Sequence, residues 1–321
     1  MSPYLPSGAN PRRTKILWEL GLSIANKKEV PYGGNRDICI TVGSGAGDTF
    51  IPALRIATGS ANLAQEVASG GLDMAFINPS AMLTQAYRGV GLFHTPLPLR
   101  IIASYPSFDR FMIVFRKDIG LSSLADVKNA RYPLQISVRE DTTHSSRILI
   151  DQLFRFYDFN LAELESWGGR VHPAGPPGDK RRLSALCEGT IDAVLDEGVR
   201  TWAGTALAAG FVPIQLDKAA FEYLATLGWR RSILRAGHFP GLEKDHACVD
   251  FSGWPLYARA SLPDSVVFEV CAAFAAREGE MPWEDGLYEG LPHIFTETDS
   301  TPMDVPLHSG VKCWLDKHKE T

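Results

Sequence analysis

The densest run of reactive side chains is Arg139-Glu140-Asp141-Thr142-Thr143-His144-Ser145-Ser146. It joins an apolar strand candidate, Gln135-Ile136-Ser137-Val138, to an amphipathic segment carrying Ile148, Leu149, Leu153 and Phe154. Such a turn crowds hydroxyls and unpaired backbone N–H groups at the positive end of a helix, which is where an anion is held. Thr142, Thr143 and Ser145 therefore read as an anion site, although one of them caps the helix in any case. Arg139 stands at a strand end, where it could grip a carboxylate through two parallel bonds. It serves equally in a surface ion pair with Glu140 or Asp141. A second acidic turn, Asp196-Glu197-Gly198, would repel a purely anionic ligand. It implies an amino or hydroxyl group at the ligand's other end.

Two repeated patterns would position these groups. Thr58-Gly59-Ser60-Ala61-Asn62-Leu63 leads through Gly70-Gly71-Leu72-Asp73-Met74-Ala75-Phe76-Ile77 to Asn78-Pro79-Ser80. Leu54, Ile56 and Ala57 form a short apolar run and Ser60 can cap a helix. Leu63, Ala64 and Val67 give that helix its apolar face, and Gly70 or Gly71 can end it in the left-handed conformation. Met74 to Ile77 suits a buried strand. Leu183 to Leu195 repeats the order of helix end, glycine, aspartate, apolar strand and polar turn, as any α/β protein can. The reading is α/β with two lobes, whose polar strand ends face one cleft; ligands bind at the carboxyl ends of parallel strands.

At 321 residues the chain suits two domains. Its hydrophobic content of 45% and net charge of −5, without a polybasic run, argue for a globular protein and against nucleic acid as a partner. Five cysteines without a CxxC pair read as isolated thiols. No apolar run reaches the roughly 20 residues that span a bilayer, so direct membrane insertion is not expected. Ile16, Leu17, Leu20 and Ile24 suit one face of an amphipathic helix better than a signal peptide. The expected location is cytoplasmic as the chain stands, or periplasmic if a leader has been removed. Gly43-Ser44-Gly45-Ala46-Gly47-Asp48-Thr49 lacks the lysine of a phosphate loop and reads as a flexible cleft edge.

Strands are expected at Leu99–Tyr105, Phe111–Phe115 and Phe211–Leu216, with helices over 81–87, 218–227 and 266–276. Residues 106–110 are a candidate interdomain crossing, and Val249–Ala258, one long extended segment, is the natural second. The assigned lobes are 1–107 with 215–321, and 108–214, with the ligand cleft between them. Closure is expected about Pro106–Arg110 and Val249–Trp254. Lys180-Arg181-Arg182 reads as a solvated helix start.

From Thr58 onward the chain resembles the TAXI family of TRAP-transporter solute receptors. The resemblance rests on TGSANL with GGLDMAFINPSA, LRIIASYP, RFMIVFRKDIGLSSLADVKN, THSSRILIDQLF, EGTIDAVLDEG and the ending VPLHSGVKCW. It implies a type II periplasmic-binding-protein (Venus-flytrap) fold that captures a small organic acid or amino acid, without catalysis or cofactor. TRAP membrane subunits are the partners it implies. Position by position, Gly59, Ser60 and Asn62 would meet the ligand from one lobe with Asn78 and Ser80. Thr142, Thr143 and Ser145 would meet it from the other, with the Asp196 turn behind. The chain departs from the family at Arg139-Glu140-Asp141, which stands where the family has a glycine-rich turn. That departure opens an alternative: a decarboxylase-like cytoplasmic enzyme on the same fold. It would use Asp141, His144, Asp196 and Glu197 for acid/base or metal-assisted chemistry.

Overall fold

The computed structural model describes residues 20, 38–42, 54–59, 61 and 63–318. Ser60, Asn62, the Gly43–Thr49 run and most of the N-terminal segment expected to be helical lie outside these. The first part alternates strands and helices: β1 Ile38–Val42, β2 Leu54–Gly59, α1 Leu63–Ser69, β3 Met74–Ile77, α2 Ser80–Arg88 and β4 Leu99–Tyr105. Then follow β5 Arg110–Arg116, α3 Leu124–Ala130, β6 Gln135–Arg139, α4 Ser145–Phe156, α5 Leu161–Ser166, β7 Arg170–Ala174, α6 Lys180–Glu188 and β8 Ala193–Asp196. The chain continues with α7 Ala203–Ala208, β9 Phe211–Pro213, α8 Lys218–Thr226, β10 Arg231–Leu234, β11 His246–Asp250, β12 Trp254–Arg259, α9 Asp264–Ala276 and α10 Ser309–His318.

The fold is mixed α/β in two lobes, each built on one sheet. The first sheet has the order β1-β2-β3-β12-β4, and the second β10-β11-β5-β8-β6-β7 with β9 beside β5. β2 and β3 are parallel, as are β6 with β7 and β6 with β8. The parallel pairs bring Gly59 level with Ile77, and in the second lobe they set the carboxyl ends of β6 and β8 side by side. β3 is apolar throughout because it runs between two strands under helices: Met74, Ala75 and Ile77 are buried and Phe76 is half-buried. α1 and α6 end where glycines accept positive φ, Gly70 at 85° and Gly189 at 67°.

The extended segment expected over Val249–Ala258 is two strands in different sheets. β11 ends at Asp250, β12 begins at Trp254, and 251–253 carries the chain back to the first sheet. Strand membership thus corrects the boundary expected at residue 215, since β10 and β11 belong to the second sheet. The apolar pattern is alike on both sides of the return; Gly253, with φ of 77°, is where it breaks. A Cβ there would lie 2.6 Å from Cδ of Pro302, so the turn requires glycine.

The lobes touch extensively. Seven of the nine residues of α2 are buried, because its residues are small or apolar on nearly every side. One apolar cluster runs from Ala57, Ile77 and Met82 to Phe111, Leu153 and Trp229. Phe251, in the return crossing, is fully buried and stacks between Trp229 and Phe111, with centroids at 5.3 and 5.7 Å. Burying such a ring contributes about 1.5–3 kcal/mol, which holds the crossing in place.

Candidate functional site: the strand ends beside the crossings

The two crossings are bonded to each other. The Gly253 N–H donates to Ser107 Oγ at 2.9 Å, and the Phe251 N–H to the Asp109 carbonyl at 3.0 Å. Ser252 Oγ accepts from the Asp109 N–H at 3.1 Å and donates to the Asp109 carbonyl at 3.2 Å. Arg110 Nη1 donates to Asp250 at 2.7 Å and also to Ser252 Oγ. These bonds tie the start of β5 to the end of β11.

The crossing is tied in turn to the end of β8. Asp109 Oδ1 accepts from the Gly198 N–H at 2.7 Å. Gly198 adopts φ of 64°, and a Cβ would stand 2.3 Å from Cγ of Pro177. Burial and a hydrogen bond shared with Glu197 raise the Asp109 carboxyl well above the usual carboxylate range. Glu197 stays low: burial pushes its carboxyl up, but the Asp109 hydrogen bond, Arg139 and His144 outweigh that. A proton shared by the pair therefore sits on Asp109 rather than on Glu197.

Arg139 ends β6 and is buried, not at the surface with Glu140 or Asp141. Its Nε donates to Asp196 at 3.2 Å, Nη1 to the Gly175 carbonyl at 2.7 Å, and Nη2 to Glu197. All three of its nitrogens are thus engaged within the protein. Asp196 is fully buried and also accepts from Arg182 Nη1 at 2.5 Å. Arg182 corrects the expectation of a solvated basic helix start: it is 2% exposed, and its Nε donates to Ser137 Oγ at 3.1 Å. Two guanidinium groups therefore offset Asp196 and Glu197. No signal in the local sequence separates Arg182 from its neighbours Lys180 and Arg181; only its position on the inner face of α6 does so.

The 141–146 turn differs in detail from the expectation. His144, not a hydroxyl residue, caps α4: its Nδ1 accepts from the Ser146 N–H at 3.2 Å and lies 2.9 Å from Ser146 Oγ. With Nδ1 accepting, the ring proton is assigned to Nε2, which stands 4.0 Å from Glu197 Oε1. Burial, then the nearby Arg139, lowers the His144 pKa, so the ring is neutral near pH 7. Thr143 donates both its N–H, at 2.9 Å, and its hydroxyl, at 2.8 Å, to Asp141 Oδ1. Thr142 is exposed and Ser145 buried. Arg147 Nη1 donates to the Arg139 carbonyl at 2.8 Å and braces the strand end.

In the first lobe, Gly59 ends β2, Asn78 is exposed and Ser80 is buried at the start of α2. Among the described residues neither Asn78 nor Ser80 hydrogen-bonds the 142–145 turn. Of the four groups of the enzyme reading, Glu197, Asp196 and Asp141 all lie close enough to act on the charge of His144, but each is engaged differently. His144 and Glu197 face each other, Asp196 is enclosed by two arginines, and Asp141 is bonded to its own turn. Among the described residues no group of three or more His, Cys, Asp or Glu side chains is placed to hold a metal ion. No helix among them is long and apolar enough to cross a membrane.

No protein-family model matches this chain, and no curated protein sequence matches it. Among solved structures it is similar to an ABC-transporter periplasmic binding protein from Brucella ovis with glutathione bound. That pair shares 13% identity over 70% of this chain and 55% of the other, with a TM-score of 0.28. It is similar to a periplasmic sulfonate-binding protein from Methylobacillus flagellatus, at 10% identity over 80% and 78% of the two chains, TM-score 0.38. A lactococcal protein in its closed-liganded conformation with glycine betaine gives 11% identity over 81% and 82%, TM-score 0.37. The chain spans about half the length of the Brucella protein.

Proposed function

We propose that this protein is a solute-binding receptor that captures a small organic acid or amino acid between its lobes, in the manner of TAXI receptors of TRAP transporters. The observation that carries the reading is the pair of bonded crossings, joined through Asp109 and Gly198 to the strand ends of the second lobe. Two lobes on two such connections can close on a ligand as rigid bodies. Gly59, Ser60, Asn62, Asn78 and Ser80 are the proposed contacts from the first lobe, and Thr142, Thr143 and Ser145 those from the second. Arg139 and Asp196 form the charged backing of that wall; with Arg139 engaged, the ligand carboxylate is assigned to the helix starts instead. TRAP membrane subunits are the proposed partners and the periplasm the proposed compartment.

Native mass spectrometry of the purified protein tests the reading first, through a co-purified small molecule. Calorimetry with that molecule should then lose about ten- to a hundredfold in affinity on Ser60→Ala or Thr143→Ala, the cost of a charge-assisted bond. Unchanged affinity in both variants would place the ligand elsewhere. The enzyme alternative rests on one observation, a neutral His144 facing an ionised Glu197. It predicts that His144→Ala abolishes turnover of the bound molecule while leaving its affinity intact.

A further inference from the structure

A second cleft, of about 680 Å³, lies on the β10 flank of the crossings. β10 of the second lobe and residues 286–300 of the first form its walls, and Phe108 and Arg110 of the crossing line it. Arg110 is 4% exposed. Its Nη1 serves the Asp109 carbonyl, Asp250 and Ser252, and its guanidinium lies over the Phe108 ring at 4.4 Å. Its Nε is buried without a hydrogen-bond partner. Among the described residues Nη2 has none either. Nε and Nη2 form one edge of a guanidinium, the edge that matches the two oxygens of a carboxylate. Leaving a buried donor of this kind unbonded is costly, so the edge calls for an acceptor.

The walls indicate the rest of the molecule. Arg231 on β10 lines the cleft from the other face of the sheet, since it pairs with Val249 whereas Arg110 pairs with Asp250; its guanidinium lies over Phe221. Glu289 and Asp299 on the opposite wall are exposed carboxylates without an ion-pair partner among the described residues. Phe108 and Leu287 give an apolar surface.

We propose that this flank cleft is a second binding site, distinct from the cleft at the strand ends, for a small zwitterion with separated charges. Its carboxylate is seated on Nε and Nη2 of Arg110, its aliphatic body lies along Phe108 and Leu287, and its ammonium faces Glu289 and Asp299. Because the walls come from both lobes, an occupant spans the hinge.

The test is calorimetry with 6-aminohexanoate, hexanoate and hexylamine as probes. Saturable binding of 6-aminohexanoate, with hexanoate and hexylamine each weaker by about tenfold or more, is expected when each end makes one charge-assisted bond. Arg110→Lys keeps the charge beside Asp250 but not the two-pronged edge, and should weaken 6-aminohexanoate by about tenfold. Ser232→Trp obstructs the cleft without touching Arg110 and should abolish binding, which covers the case that the Arg110 variant does not fold. Thr143→Ala, at the strand-end cleft, should leave this binding unchanged. The proposal is overturned by absent saturation in the wild type, by hexanoate binding as tightly as 6-aminohexanoate, by unaltered binding in Ser232→Trp, or by loss of binding in Thr143→Ala.

Discussion

Replacing Arg139 with methionine tests the central electrostatic claim, that the second lobe's strand ends are held by buried, mutually dependent charges. Arg139 is 4% exposed, and its partners Asp196 and Glu197 are 0% and 6% exposed. Removing one member of a buried ion pair costs about 3–5 kcal/mol, because the other charge is left without compensation. Here Asp196 keeps Arg182 at 2.5 Å, so only Glu197 loses its guanidinium, and it keeps the Asp109 hydrogen bond; the cost falls near the low end, about 3 kcal/mol. In urea, with a slope of about 3 kcal/mol per molar, that lowers the unfolding midpoint by about 1 M. Circular dichroism across a urea series reads it directly. Adding Glu197→Gln to the same chain removes the stranded charge, so the double variant should be more stable than Arg139→Met alone. A loss under about 1 kcal/mol, the size of an exposed pair, would refute the claim, and so would a double variant no better than the single.

Three further outcomes follow from buried ionisable groups. His246, buried in β11, has its pKa pushed down to about 4 by desolvation. Its contribution is present above pH 6.5 and is lost as pH falls through about 4, amounting to about 3 kcal/mol at about 1.4 kcal/mol per unit; His246→Gln should flatten that acid limb of stability. Asp109, with its pKa raised by burial and Glu197, contributes the opposite slope: its share is present at low pH and is lost as pH rises from the ordinary carboxylate range through the raised value. Asp109→Asn should remove that slope, and an unchanged pH–stability profile would count against the shared proton. Cys39, Cys187 and Cys313 are exposed, whereas Cys248 and Cys271 are buried with thiols pushed up to about 12. A thiol reagent on the native protein should label the first three and reach the other two only on unfolding.

Much of the secondary structure was legible because its causes are local. The run Met74–Ile77 is apolar without alternation and is a strand with three of its four residues buried. Helices ended where Gly70, Gly89 and Gly189 supplied positive φ. Leu99–Tyr105 is a strand as read, and the later helix begins at Asp264, two residues before the expected start. The sequence by itself also determined that reactive groups gather at the ends of β6 and β8, since polar runs must follow apolar strands wherever the chain leaves the core.

Only the tertiary structure decided what those groups do. Arg139 and Asp196 are 57 residues apart, and nothing in a linear pattern says that a strand-end arginine will meet the acid of the adjacent strand before it meets a ligand. Arg182 looks like its exposed neighbour Arg181, yet the rotation of α6 buries one and not the other. The return crossing falls within the segment read as the second crossing, but its division into strands of two sheets was hidden for the same reason, since a strand's own residues do not record which sheet its hydrogen bonds join. Local preference sets where elements start and stop; which side chains become partners is settled by long-range packing and by the cost of leaving a buried charge alone.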